Sequence, residues 1–208
     1  MRALKVLDEG GVGRFSAFRW PAPANGEPGA WVEDPGTTHM CVRGVHACVP
    51  DQLPYWLGQE LYVIELDGPV TQVERKVVAP RGRLIGRVDR WDAGGQRAFV
   101  TAAALHARDA AVAIVRAERE DALADRLAAC TDLSSLGAVL AEAQPGRERS
   151  RETLHYVSDA VQFAAASTAS SAYCAAHAGL DREGYLEARA FQARWLTAAL
   201  DLEIALAS

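Results

Sequence analysis

Val88-Asp89-Arg90-Trp91-Asp92-Ala93-Gly94-Gly95-Gln96-Arg97-Ala98-Phe99-Val100-Thr101-Ala102-Ala103-Ala104 is the stretch on which the fold turns, because the character of the chain changes within it. Before it, Gly and Pro punctuate at short intervals: Gly10-Gly11, Pro21 to Gly29, Pro35-Gly36, Gly44, Pro50, Pro54, Gly68-Pro69, Pro80 and Gly82. Such spacing leaves room only for short segments, and strands fill them naturally. After it, proline almost disappears, Ala dominates and the apolar spacing becomes that of helices. The expectation is an α+β chain: a strand-rich domain over 1–92, an antiparallel meander with one short helix, and an all-helical, Ala-rich domain over 93–208.

Working back from the border, Leu61-Tyr62-Val63-Ile64-Glu65-Leu66-Asp67 is rich in aromatic and β-branched residues. Tyr62, Ile64 and Leu66 fall on one face and Leu61, Val63 and Glu65 on the other, as in a central strand. Asp67-Gly68-Pro69 supplies a turn, and Val70 to Val78 and Arg83 to Val88 continue as strands. Pro50 to Gly58 reads as a short helix with Asp51 as N-cap. Pro21 to Gly29 reads as an exposed loop. Working forward, helices are predicted at 96–118, 119–130, 133–143, 150–178 and 181–207, separated by Thr131-Asp132, Gln144-Pro145-Gly146 and Gly179-Leu180-Asp181. The small-residue run Ala164 to Ala172 allows close approach of a neighbouring helix.

A net charge of -5, from 22 Lys+Arg and 27 Asp+Glu, provides no electrostatic footprint for nucleic acid. The most membrane-like window, Ala160 to Ala178, is interrupted by Gln162, Ser and Thr residues and His177, so no membrane span is expected. With four cysteines and no secretory signal, free thiols in a reducing cytoplasm are expected. No phosphate loop, nucleophile elbow, His-Glu-x-x-His or Cys-x-x-Cys occurs, and no cofactor is implied. Gly10-Gly11-Val12-Gly13 lacks the complete dinucleotide fingerprint.

The densest chemistry is His39-Met40-Cys41-Val42-Arg43-Gly44-Val45-His46-Ala47-Cys48, two His and two Cys within ten residues. Were Arg43-Gly44 a two-residue hairpin turn, His39, Cys41, His46 and Cys48 would share a face and suit a metal ion. Were Gly44 instead the left-handed residue after a type I turn, His46 and Cys48 would move to the face opposite His39 and Cys41. The same residues suit acid-base or nucleophilic work, with His46 as acid or base and Cys48 and Cys41 as thiols activated by an imidazole. Buried histidine beside inert core thiols is the plainer reading. Aromatics gather in the same half, and Arg19, Trp20, Tyr55 and Trp56 are candidate substrate-binding residues. Arg75, Lys76, Arg81, Arg83, Arg87 and Arg90 make the later strands basic, and His155-Tyr156 and His177 mark the long helices.

At Cys41-x-x-Gly44-Val45-His46-Ala47-Cys48, Leu53-Pro54-Tyr55-Trp56-Leu57, Leu61 to Gly68 and Lys76-Val77-Val78-Ala79, the chain resembles a family of uncharacterised actinobacterial proteins. The likeness is strongest over 1–92, where a shorter phage and bacterial domain of unknown function is also similar. The order of its strands and short helix is loosely similar to part of the ADP-ribosyltransferase fold, which would imply an NAD-binding module. Neither an Arg, Ser and Glu series nor a His, Tyr and Glu series stands at matching places.

The expected function is a small-molecule enzyme or ligand-binding protein of bacterial specialised metabolism, using the His/Cys site and a pocket between the two halves. Its partner is a small-molecule ligand, without nucleic acid or membrane. The alternative classes are an interaction protein that forms a homo-oligomer through the C-terminal helices, and a zinc-stabilised module.

Overall fold

The structure, a computed structural model, describes residues 1–34, 43–73 and 75–207. Among the described residues seven strands come first: β1 (Arg2–Leu7), β2 (Val32–Glu33), β3 (Val45–Ala47), β4 (Glu60–Asp67), β5 (Thr71–Val73), β6 (Lys76–Ala79) and β7 (Arg81–Arg87). A 3-10 helix, Pro50–Tyr55, lies between β3 and β4. Seven helices follow: α1 (Ala93–Ala117), α2 (Asp121–Ala128), α3 (Leu133–Glu142), α4 (Glu148–Phe163), α5 (Thr168–His177), α6 (Arg182–Ala199) and α7 (Leu202–Ala207). Antiparallel strands in the first half and helices in the second make the chain α+β, as the sequence predicts.

The strands form a four-stranded sheet in the order β1-β4-β7-β2 and a three-stranded sheet in the order β3-β6-β5. β4 is the central strand expected of it, paired with β1 (Leu4 opposite Val63) and with β7 (Ile64 opposite Leu84). Tyr62, Ile64 and Leu66 enter one core with Ala3, Leu7, Trp20, Val45, Ala47, Val77, Ala79 and Leu84. The neighbour order departs from a simple meander. Val70 to Val78 divides into β5 and β6, a hairpin closed by Val73 opposite Lys76, and this hairpin joins β3 rather than β4. The chain therefore leaves the first sheet after β4 and returns to it as β7. Val77, Val78 and Ala79 are all buried, and pairing β6 with β3 on one edge and with β5 on the other satisfies their backbone.

The short helix also differs from expectation in its cap. Asp51 lies inside the helix, and Val49 is the N-cap, its N–H bonded to the Gln52 side chain at 3.1 Å. In the loop at Pro21 to Gly29, Asn25 and Gly26 take positive φ (53° and 80°) within an Ala24–Glu27 bridge, the signature of a tight two-residue turn.

Two compact units partition the chain, one of Met1–Gly95 with Ala193–Ser208 and one of Gln96–Gln192. The C-terminal segment thus groups with the strands rather than with the residues after 92, and within that unit Arg90 pairs with Asp201. In the helical unit, Ala103, Ala107, Ala111 and Val115 of α1 share a core with Leu127, Leu136, Leu154, Val157 and Ala160. The expected single helix over 150–178 is two, because the chain breaks at 164–167 and Ser167 caps α5 by accepting from the Ser170 N–H. Thr153 donates to Ala178 O at 2.6 Å and Ser171 to Ala160 O at 2.7 Å, so α4 and α5 run antiparallel, stitched by small buried hydroxyls. The run expected over 181–207 is likewise broken, at Leu200 and Asp201, into α6 and α7. By length and composition α1 is the one described helix that meets the requirement for crossing a membrane, rather than the window at 160–178.

Candidate functional site

β1 and β3 meet at a single bridge. Leu4 N–H donates to Cys48 O at 2.8 Å and Cys48 N–H to Leu4 O at 2.9 Å, which ties the end of β3 to the first sheet. On the other side of β3, His46 opposes Val78 and Ala47 opposes Val77, and that register carried one residue further sets Cys48 against Lys76. Lys5, His46, Cys48 and Lys76 are brought together by this junction. They line a cavity of about 460 Å³ with Leu4, Val6, Ala47, Trp56 and the loop residues Gly13, Arg14, Phe15 and Ser16.

The loop is the Gly-rich stretch after β1. Gly10 and Gly11 both take positive φ (73° and 74°), which side-chain-bearing residues resist. The chain then doubles back through bridges of Asp8 with Val12 and Val12 with Arg19. Its anchor is Glu60, a buried carboxylate whose Oε2 accepts from the Gly11 N–H at 2.9 Å and from the Tyr62 hydroxyl at 3.3 Å, while Arg87 stands 3.6 Å from Oε1. At the loop's tip Phe15 is 85% exposed and meets Trp56 edge-on at 6.5 Å. Arg14 is held by Leu57 O at 2.7 Å and faces Asp8 at 3.8 Å.

Among the described residues three cations and no carboxylate line the cavity. Lys5 donates to His46 O at 2.6 Å and lies over the Trp20 ring at 4.6 Å. Burial pushes its ammonium down to about 8, against a smaller opposing pull from Cys48. Lys76 lies over the Trp56 ring at 6.0 Å, and the Trp56 indole N–H donates to Arg75 O. His46 is held down to about 4, first by burial and then by Lys76 and Lys5, with Asp34 pulling the other way. It is neutral at pH 7, and its Nε2 is buried without a hydrogen-bond partner among the described residues.

Cys48 is 2% exposed, and burial lifts its thiol to about 12, so at neutral pH it is a protonated wall rather than the activated sulfur expected. Cys41 and His39 lie outside the described residues. Of the four-ligand metal alternative only His46 and Cys48 can therefore be placed, and no cluster of three His, Cys, Asp or Glu occurs among the described residues. Gly44 has the positive φ (101°) expected of it, and its N–H donates to Asp34 at 2.8 Å.

The candidate binding residues separate. Trp56 lines the cavity. Trp20 is core, reaching the site only as the platform beneath Lys5. Arg19 is exposed and donates to Gly10 O at 2.8 Å, and Tyr55 lies under the Arg75 guanidinium at 4.7 Å; neither lines the cavity. Every lining residue comes from the strand-rich unit, not from both halves as expected. In the helical unit, Tyr156 and His177 line a smaller hollow of about 240 Å³ with Glu152, Leu180, Asp181, Arg182 and Tyr185. Lys5 and Arg14 were not singled out by sequence reasoning. The signal that finds Lys5 is scarcity: the chain has only two lysines, Lys5 and Lys76, and both line this cavity. Comparison of the chain with family models, with curated proteins and with solved structures finds no match.

Proposed function

We propose that the strand-rich unit is the ligand-binding part of a small-molecule-binding protein or enzyme, and that its ligand is an anion with an aromatic or apolar body. The observation that carries the reading is the charge of the lining: Lys5, Arg14 and Lys76 without a carboxylate among the described residues, in a chain whose net charge is -5. Cations set in an apolar wall favour a carboxylate or phosphate, because each charge-assisted hydrogen bond strengthens where water is excluded. Phe15, Trp56 and the aliphatic residues then receive the body of the molecule. His46, neutral at pH 7, supplies a hydrogen-bonding nitrogen rather than a fourth charge. The reading keeps the reducing, cytoplasmic setting expected of the sequence, supported by the free, buried state of Cys48, Cys130 and Cys174.

The test is a matched panel of benzoate, phenyl phosphate and benzylamine, followed by Trp fluorescence and thermal shift. The anions are expected to raise the melting temperature with concentration and the amine is not. Lys76→Met and Arg14→Met should each weaken anion binding about tenfold or more, the loss of one charge-assisted contact. Equal responses to benzoate and benzylamine, or none to any of the three, would overturn the reading.

A further inference from the structure

Twenty-two side chains of this protein are Lys or Arg, and twenty of them are Arg. Arg provides charge throughout: on the strand surface at Arg81 and Arg83, on the helices at Arg108, Arg116 and Arg126. If the cavity needed only positive charge, a guanidinium would serve there too, and would hold a carboxylate or phosphate in two-pronged fashion. Both lysines are nevertheless here. What an amine has and a guanidinium lacks is an accessible neutral form with a lone pair that attacks carbonyl carbon.

We infer that Lys5 is an amine nucleophile that captures the carbonyl group of an anionic aldehyde or ketone held in this cavity as a Schiff base. The inference rests on the anion-binding reading above and names the chemistry of its ligand. The geometry sets Lys5 on β1 beside the Leu4–Cys48 bridge, with its amine anchored on His46 O at 2.6 Å and resting on the Trp20 ring. One N–H suffices for that anchor, so a neutral amine keeps its position and offers its lone pair to the cavity. Lys76 and Arg14 line the same cavity and add positive charge for the ligand's anionic group. Burial in the same wall lowers the amine to about 8, which at pH 7 leaves on the order of a hundredfold more free amine than an ordinary lysine has.

The chemistry balances without a further reactant. The Nζ–C bond forms as the carbonyl π bond breaks, giving a carbinolamine. The carbinolamine oxygen then leaves as water, taking one proton from the amine and one from solvent, and the product is a protonated imine. Nothing is oxidised or reduced.

The experiment uses 4-carboxybenzaldehyde as probe and terephthalate as its unreactive counterpart, on the full chain. Cyanoborohydride, itself oxidised, delivers hydride to the imine carbon and makes the adduct permanent. Intact mass followed by peptide mapping is expected to show one adduct on Lys5, with trapping at low probe concentration about tenfold or more faster there than at Lys76 or at the Met1 amine. The rate should rise with pH up to about 8, as free amine forms, and fall above it, where the proton that releases water and the protonated imine that accepts hydride become scarce. A merely structural lysine would not produce that profile. Lys5→Met should abolish the adduct. Lys5→Arg, which keeps the charge and a donor for His46 O, should carry no adduct at that position while circular dichroism shows it folded, and it decides the case if Lys5→Met does not fold. Terephthalate binding without an adduct on Lys5, or labelling that falls equally on Lys76 or Met1, overturns the inference and leaves anion binding standing. Absence of terephthalate binding overturns both.

Discussion

His46 sits where three effects disfavour the charged form of one imidazole and Asp34 opposes them. Burial, Lys76 and Lys5 each disfavour its charged form, and together they hold it down to about 4. The unfolded chain takes up that proton near 6.5. Between the two values the unfolded state binds more protons than the folded one, so the stability this residue contributes is fully present above pH 6.5 and is lost as pH falls toward 4. His46→Gln should therefore lose less stability than the wild type between pH 7 and pH 5, measured by urea midpoints at the two values. Equal losses would mean that His46 is protonated alike in both states. Sequence reading selected this residue from local His/Cys density, and the structure sets it in the cavity wall. The same density pointed to Cys48 as a reactive thiol, which it is not placed to be, since thiol reactivity depends on surroundings that arrive from β1 and β6.

Among the elements, the loop between β1 and Trp20 decides how the cavity is closed. It carries Arg14, Phe15 and Ser16 to the site, and one buried carboxylate, Glu60 on β4, holds it through the Gly11 N–H. Glu60→Ala leaves that N–H, the Tyr62 hydroxyl and Arg87 without their acceptor, at an expected cost of about 1–3 kcal/mol. Urea denaturation should show that loss, and amide exchange at Gly11 and Gly13 should quicken. Phe15→Ala provides the contrast: the side chain is exposed, so stability should stay within about 0.5 kcal/mol while benzoate affinity falls. Unchanged affinity in both variants would remove the loop from the site. In the sequence Gly10 to Gly13 is legible as Gly-rich punctuation without the complete dinucleotide fingerprint. Its actual role needs Glu60, about fifty residues later, to become visible.

For the whole molecule, the division into two compact units predicts where a ligand is felt. Terephthalate should slow hydrogen exchange in β1, β3 and the loop before Trp20, and leave α2, α3 and α4 unchanged, when followed by mass spectrometry of the intact chain. Protection spread through those helices instead would move the site out of the strand-rich unit. The change from strands to helices was readable, whereas the grouping of the C-terminal segment with the strands was not. Proline and glycine punctuation against Ala-rich helical periodicity is a local property, so the border near Gly94-Gly95, the centrality of β4 and most helix limits follow from neighbours in sequence.

Where the strands pair was not readable in that way. Alternation tells which side chains share a face but not which strand lies beside which, and β6 pairs with β3 and β5 rather than with β4, its Val77, Val78 and Ala79 all buried there. The convergence of Lys5, His46 and Lys76 follows from that pairing, across segments 41 and 30 residues apart in the chain. Composition by itself determined that this protein has only two amines on its side chains. Only the tertiary structure decided that both face one cavity, because contacts between distant segments are set by the pairing of sheets and the packing of their faces, which no local pattern encodes.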